Sequence, residues 1–412
     1  MEKRIYLCLA HMSGEEMKYI QEAFETNWVV PLGPNVNGFE DDLKAFVGQG
    51  KEVVALSSGT AAVHLALLAC GVGPGDEVMV QSFTFCASTN PITYLGAVPV
   101  LVDSEADTWN MDPQLLEEAI LDRMAKTGRK PKAIILVYLY GMPAKIDEIV
   151  NIAHKYEIPL IEDAAEGMGS VYRGQVCGTF GDYGVLSFNG NKMITTSGGG
   201  ALICPTPEAK SKMLWYATQA REAYAYYQHE AIGYNYRMSN ICAGIGRGQM
   251  TVLREHIDHH RRLASIYHEA FSRLDGITFH DEQEGMASNF WLNTILLDEK
   301  LKVKGEDKAY GNAIEGAVGG AAGVVHGGGK VHTDCEPNYN VEAMRIALDQ
   351  AGIESRPLWK PMHKQPVYKN APKYNNGISE TLFKKGLCLP SGPCVTENDC
   401  QRIIDEVIGC LE

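Results

Sequence analysis

Short apolar runs of strand length alternate with helix-length patterns through the first two hundred residues of this chain, and that alternation restricts the fold more than any other feature. The runs are EVVAL, DEVMVQS, VPVLVD, KAIILVYLYG and IPLIEDAA; helical patterns lie between them from Thr60, through Pro91 to Leu95, from Asp112 and from Lys145. Strands separated by helices of this length predict an α/β fold, a mostly parallel sheet covered on both faces. Two further runs, DYGVLSF and GGALICP, are expected to complete the sheet. Upstream, the S-x-x-E signature from Ser13 with Met17, Ile20 and Phe24 at helical spacing predicts a capped helix ending near Asn27.

The 412 residues, 45% hydrophobic, are enough for a large domain and a smaller one. We place the large domain at 1–240 and a small C-terminal α+β domain at 241–412, where RGQMTVLREHIDHHRRLASIYHEAFSRL reads as one long polar helix. A glycine-rich insertion at about 305–332 is costly to order and is expected to be mobile. No P-loop lysine and hydroxyl follow it at phosphate-binding spacing.

Charge and composition exclude several function classes. The net charge of -14, from 51 acidic and 37 basic residues mixed along the chain, leaves no basic stripe for nucleic acid. Eleven scattered cysteines without a C-x-x-C pair argue against a disulfide framework or a zinc site, and a reducing cytoplasm is expected. No stretch approaches the roughly 20 apolar residues of a membrane span. His256, His259 and His260 fall near one helical face, but Arg254, Arg261 and Arg262 surround them and would repel a metal cation, so no metal site is expected. The glycines of GVGPGD follow a helix and precede a strand, the reverse of a dinucleotide loop.

Ligands of open parallel sheets bind at the carboxyl ends of the strands, so the residues just after each run are the candidates. After EVVAL come Ser58, Gly59 and Thr60 opening a helix, whose free N–H groups suit a phosphate; a plain N-cap is the bland alternative. After DEVMVQS come Phe83 and Phe85, core rings or a platform for a flat cofactor. After IPLI come Glu162, Asp163 and Glu166 among small residues, carboxylates that burial makes costly unless they meet a cation. The protonated ring nitrogen of pyridoxal phosphate is such a cation. After DYGVLSF comes Lys192, 29 positions beyond Asp163 (192 minus 163), placed to form a Schiff base with the same cofactor.

The stretches PLGPNVNGFE, SSGTAAVHLALLACGVGPGDEV, FTFCASTNPITYLGAVPVLVD, LYGMPAKIDEI, EDAAEGMGS, SFNGNKMITTSGGGAL, GYNYRMSN and RPLWKPMHKQPV resemble, in order and over nearly the whole chain, the DegT/DnrJ/EryC1/StrS family of sugar aminotransferases. Many members of that family carry a histidine three places before the cofactor lysine; this chain has Asn189. SFNGNK looks most like the branch that aminates UDP-4-keto-6-deoxy-N-acetylglucosamine toward bacillosamine-type sugars.

The resemblance implies the type I fold of aminotransferases dependent on pyridoxal 5'-phosphate, with Lys192 as the cofactor lysine and Asp163 as the partner of the ring nitrogen. It implies Gly59, Thr60 and Ser187 at the phosphate, Phe85 on the ring, Glu166 and Asn189 nearby, and Asn235 reaching in from a second subunit of a homodimer with shared sites. Asn27, Trp28, Val29 and Val30, with Arg356, Pro357, Leu358, Trp359 and His363, match segments that line the nucleotide-sugar pocket. L-Glutamate is the implied amino donor.

Neighbouring readings share the core site. A different keto sugar, a keto-cyclitol or an amino-benzoate precursor would use the same cofactor residues. A dehydratase of this fold would carry histidine where Lys192 stands, and a non-catalytic binding protein would have no need of the set Asp163, Ser187 and Lys192.

Overall fold

The computed structural model describes residues 3–306, 309–310 and 335–412. All seven expected runs form strands: β1 (Glu52–Leu56), β2 (Glu77–Gln81), β3 (Val98–Val102), β4 (Ala133–Val137), β5 (Leu160–Asp163), β8 (Tyr183–Ser187) and β9 (Gly200–Cys204). Between β5 and β8 lie the short β6 (Val171–Tyr172) and β7 (Gln175–Val176). Further on come β10 (Ile277–Phe279), β11 (Met286–Ala287), β12 (Asn293–Leu297), β13 (Arg356–Pro357), β14 (Lys373–Tyr374) and β15 (Gly386–Leu389). The large sheet has the order β1-β9-β8-β5-β4-β2-β3-β14. Only β9 runs against the rest, pairing antiparallel with β1 and β8. The carboxyl ends of β1, β2, β3, β4, β5 and β8 therefore share one edge.

Strand periodicity of two explains the layering. Val54, Val78, Val80, Ile135, Val185 and Leu202 belong to one buried cluster. Their alternates, among them Val53, Met79, Ile134, Leu136, Leu186 and Ala201, belong to the other. Helices α2 (Pro34–Val47), α5 (Pro113–Thr127) and α6 (Ile146–Tyr156) cover the second face; α3 (Gly59–Ala69), α4 (Cys86–Tyr94) and α7 (Pro207–Ala217) cover the first. Capping follows the sequence: Asp112 accepts from the N–H of Gln114 and Leu115 at the start of α5, and Thr206 accepts from Ala209 at the start of α7. The first helix, α1 (Glu16–Glu25), starts three residues later than Ser13, because Gly14 takes φ +96°, outside helical geometry, and the Glu16 carboxylate accepts from the Ser13 and Gly14 N–H groups ahead of the helix.

A second sheet, β10-β12-β15-β13, packs with α9 (Leu253–Phe271), α10 (Tyr339–Gln350) and α12 (Glu397–Gly409) around its own apolar cluster. The pattern expected as one long helix divides into α8 (Asn240–Met250) and α9. At the break the Thr251 hydroxyl and backbone N–H both bond to the Gly248 carbonyl, 2.6 and 3.2 Å away, drawing it out of the helical ladder. Helix α8 packs on α1 and α2, and β14 adds to the large sheet beside β3, so the last part of the chain contributes to both sheets. Most of the glycine-rich insertion falls outside the described residues. Among the described residues no helix is long and apolar enough to cross a membrane, and no cluster of histidine, cysteine or carboxylate could hold a metal. His260 instead lies buried against the Phe290 carbonyl, and burial pushes its ring down to about 3.

Candidate active site

Strand tips at the shared edge bring the expected chemistry together. Asp163 ends β5, 4% exposed, and its carboxylate accepts from Ser88 Oγ at 2.7 Å and from the Ala165 N–H at 3.1 Å. Burial raises its pKa; the Ser88 bond, the Ala165 N–H and the nearby Lys192 charge oppose the rise. Two neutral donors leave a buried carboxylate under-compensated, and a cation on its open side would complete it. Its neighbour Glu162 points to the opposite face, where Tyr138 Oη and the N–H groups of Gly178 and Gly181 satisfy it, so it is a structural anchor.

Lys192 follows β8 on a tight turn in which its N–H bonds to the Asn189 carbonyl at 3.0 Å. Its amine stands 3.4 Å from Oε1 of Glu166 and 3.8 Å from the centroid of the Trp291 ring. Glu166 is buried, and its second oxygen accepts from the Tyr140 N–H at 2.8 Å. Burial lifts the Glu166 carboxyl to about 7, held back by the Lys192 charge and the Tyr140 N–H and reinforced by Asp163. Asn189 is exposed beside this group.

The expected phosphate residues lie at the tips of β1 and β8, on either side of β9. Ser58 caps α3 by accepting from the Ala61 N–H at 3.0 Å, leaving the N–H groups of Gly59 and Thr60 without helical acceptors. Gly59 packs on Ser187, the last residue of β8: a Cβ at Gly59 would lie 3.1 Å from the Ser187 Cβ. A Cβ at Gly200 would collide with the Gly59 nitrogen and the Ser58 carbonyl carbon, so glycine at 200 is what allows the helix to sit against β9. Two free N–H groups, a hydroxyl and a helix dipole converge there. The residues present fit pyridoxal phosphate: the α3 terminus with Ser187 would suit its phosphate, Asp163 its ring-nitrogen cation and the Lys192 amine its aldehyde.

Aromatic side chains wall the site. Phe85, 54% exposed, lies 5.3 Å from the Trp359 ring, and Trp359 lies 5.4 Å from Tyr140 and 6.2 Å from Trp291. Tyr140 takes φ +54° and its hydroxyl accepts from the Trp359 N–H at 2.8 Å. Ser88, Tyr140 and Trp291 were not singled out in the sequence. Ser88 and Tyr140 sit within stretches that carry the resemblance; Trp291 has no such signal, since it arrives from the second sheet.

The remaining expected residues divide. Arg356 is exposed and pairs with Glu354, while Pro357 is half-buried in β13. Leu358, expected at the sugar pocket, is 2% exposed and packs into the core against Gly386. His363 is buried with both ring nitrogens engaged, by Ser82 Oγ at 2.7 Å and by Glu380 at 3.1 Å. Asn27 takes φ +60° at the end of α1, and Trp28, Val29 and Val30 are exposed. Asn240 secures that segment, donating to the Trp28 carbonyl at 3.0 Å and accepting from the Asn35 and Val36 N–H groups at the start of α2. Asn235 is exposed and lines a cavity of about 950 Å³ with Trp28, Leu32, Arg221, Tyr224 and Arg237, a lining that does not include Lys192.

Comparison with known proteins identifies the family and the fold. The family model described as the DegT/DnrJ/EryC1/StrS aminotransferase family matches residues 10–318 and 329–408. EpsN of Bacillus subtilis, which bears the name of a pyridoxal phosphate-dependent aminotransferase, is 45% identical over 412 residues, covering 99% of this chain and 96% of EpsN. The GDP-perosamine synthase of Caulobacter vibrioides is 34% identical over 402 residues, covering 97% of this chain and 96% of its own. The crystal structure of a DegT DnrJ EryC1 StrS aminotransferase from Brucella abortus superposes with a TM-score of 0.82 at 28% identity, over 96% of this chain and 95% of that one.

Proposed function

Since this chain belongs to the DegT/DnrJ/EryC1/StrS aminotransferase family and is a pyridoxal-phosphate-dependent aminotransferase, we propose that it moves an amino group from L-glutamate to a nucleotide-linked 4-keto-6-deoxy sugar, with UDP-4-keto-6-deoxy-N-acetylglucosamine as the acceptor. The observation that carries the site assignment is the meeting of Asp163, Glu166 and Lys192 at adjoining strand tips, within one sheet edge of the α3 terminus and Ser187.

The bound cofactor supplies a carbonyl carbon that accepts nitrogen and a ring that withdraws electrons from the carbon bearing it. Gly59, Thr60 and Ser187 would hold its phosphate. Asp163, whose charged form the Ser88 hydroxyl and Ala165 N–H favour against burial, would pair with the ring nitrogen and preserve its positive charge. Phe85 covers the ring, and the Trp359 side chain beside it narrows the approach from solvent. Lys192 would hold the cofactor through its amine; once free, that amine would take the proton from the donor's alpha carbon and deliver it, on the same face, to the cofactor carbon that bears the nitrogen. Glu166, 3.4 Å away, receives or supplies the proton that the amine exchanges.

The acceptor reading rests on SFNGNK and on Asn189 in place of histidine. A GDP-linked acceptor is the second reading, favoured by the similarity to a protein named as GDP-perosamine synthase. Incubation with glutamate and a panel of UDP- and GDP-linked keto sugars and a keto-cyclitol, with mass-spectrometric detection of the amine, tests both. Product from UDP-4-keto-6-deoxy-N-acetylglucosamine at a kcat/KM at least ~tenfold above the others supports the first reading; preference for the GDP sugar replaces it.

The working unit in this reading is a homodimer with shared sites. Trp28, Val29, Val30, Leu32 and Tyr224 leave an apolar patch exposed around Asn235. A second copy covering the patch would bring Asn235 to the site of its partner.

A further inference from the structure

Trp291 reaches the active-site lysine from the second sheet, and the chain accepts a strained backbone to aim it there. Phe290, the residue before it, has φ +47°, a left-handed conformation that is strained for a residue with a Cβ. The strain is held by several bonds: the Phe290 N–H donates to Ser288 Oγ at 3.0 Å, and the Phe290 carbonyl meets His260 Nδ1 at 3.1 Å. Asn289 locks the same turn to the large domain, donating to the Glu166 carbonyl at 2.7 Å and the Met168 carbonyl at 3.0 Å while accepting from the Trp291 N–H at 2.9 Å. The indole is then fixed at its far end, where Nε1 donates to the Asn191 carbonyl at 2.6 Å. The acceptor belongs to the residue just before Lys192, so ring and lysine share one backbone reference.

These restraints leave the ring with its face under the Lys192 amine, 3.8 Å from centroid to nitrogen, and almost wholly out of solvent at 2% exposed. An ammonium over a desolvated indole face is attracted by the ring quadrupole. Glu166 stands at 3.4 Å, so carboxylate and π-face together define one resting place. We propose that Trp291 is a positioning residue that parks the free Lys192 amine between release from the cofactor and its return. The proposal rests on the reading of Lys192 as the cofactor lysine. An amine without such a seat would spread over several rotamers, and fewer encounters would have the geometry for proton transfer.

The test compares W291F, which keeps a π-face, with W291L, which keeps apolar bulk without one. In cofactor-free protein, acetylation of Lys192 by an N-hydroxysuccinimide ester is followed by mass spectrometry relative to the exposed Lys18. W291L is expected to raise the Lys192 rate by about tenfold, the scale of a desolvated cation–π contact, with W291F closer to wild type than to W291L. In the loaded enzyme W291L lowers kcat about tenfold at unchanged KM for glutamate, and W291F restores most of it. Unchanged acetylation in W291L, or equal rates in the two variants, overturns the proposal. Should W291L fail to fold, tryptophan-labelled NMR of K192M against wild type decides: a moved Trp291 indole signal supports the contact, and an unmoved one overturns it. Borohydride reduction of loaded wild type with peptide mapping tests Lys192 separately. Label on another lysine overturns the cofactor reading and the role of Trp291 with it, whereas the acetylation rates judge the Trp291 contact alone.

Discussion

Oε1 of Glu166 lies 3.4 Å from the amine of Lys192, in a site where burial lifts the carboxyl to about 7. The two groups share a proton economy: loss of the lysine charge would push Glu166 further toward its neutral form, and return of the charge would ionise it.

That arrangement has a signature in stability. The folded protein holds a proton on Glu166 from its ordinary carboxyl range near 4.5 up to about 7, whereas the unfolded chain releases it at the lower value. Over that window the folded state binds more protons, so the contribution of Glu166 is full below about 4.5 and is lost as pH rises through about 7. Glutamine cannot titrate. Relative to wild type, cofactor-free E166Q should therefore gain stability between pH 5 and pH 8 by about 1–3 kcal/mol, read by urea unfolding at each pH. Parallel stability profiles for the two proteins would remove the raised carboxyl from consideration.

Ser88 sets the charge state of Asp163 from a helix that does not otherwise enter the chemistry. Its hydroxyl donates at 2.7 Å to the carboxylate that burial is pushing toward neutrality, and it also bonds to Thr84 Oγ1 at 2.8 Å. Removing the donor in S88A lets the Asp163 pKa rise further. A hydrogen bond to a buried charge is worth about 1.5–3 kcal/mol, or roughly one to two pH units. The acid limb of the kcat/KM profile should move up by about that amount in S88A, with the plateau at high pH nearly kept. An unmoved acid limb would mean that Asp163 does not govern it.

The strands and their tips were legible because a parallel sheet buried on both faces writes itself as continuous apolar runs, and Asp163, Ser187 and Lys192 stand at or just beyond the ends of such runs. Ser58 could be read as a cap for the same local reason. Trp291 could not, since its position depends on a left-handed turn at Phe290 and on contacts to residues a hundred positions away. Leu358 and His363 share a motif with Trp359, yet side-chain direction sends the first into the core and the second to Ser82 and Glu380. The division between α8 and α9 was hidden because Thr251 and Val252 do not interrupt the helical spacing of their neighbours.

Gly200 allows the start of α3, the proposed phosphate cradle, to sit against β9. It stands opposite Ser187 in the β8–β9 ladder, against the first peptide of α3, in space that any Cβ would take from Gly59 and Ser58. G200A should displace the start of α3, an overpacking cost of about 1–3 kcal/mol. Pyridoxal phosphate affinity is expected to fall about tenfold or more by equilibrium dialysis, while affinity for pyridoxal, which lacks the phosphate, changes little. An equal loss for both ligands would place the damage elsewhere in the sheet.

Asn235 lines a cavity whose lining does not include Lys192, which makes the proposed shared-site dimer testable without any structure of the complex. Asn235 sits with Trp28 in the open cavity, and Lys192 sits among Glu166, Trp291 and Asp163. K192M removes the amine that moves the proton and should lower turnover by about 10⁴-fold or more. An N235D variant places a negative charge where Asn235 would reach into the partner's cofactor site, and should lose activity through affinity for the anionic cofactor. Each variant is then inactive in a different site half. When the two are mixed and allowed to exchange subunits, about half of the dimers are mixed, and each of those carries one site with both native residues. Activity should return to about a quarter of the wild-type value, with the return rate set by subunit exchange. Mixtures that stay as inactive as their parents, under conditions where exchange is shown by labelled subunits, would place Asn235 in its own subunit's site or in none.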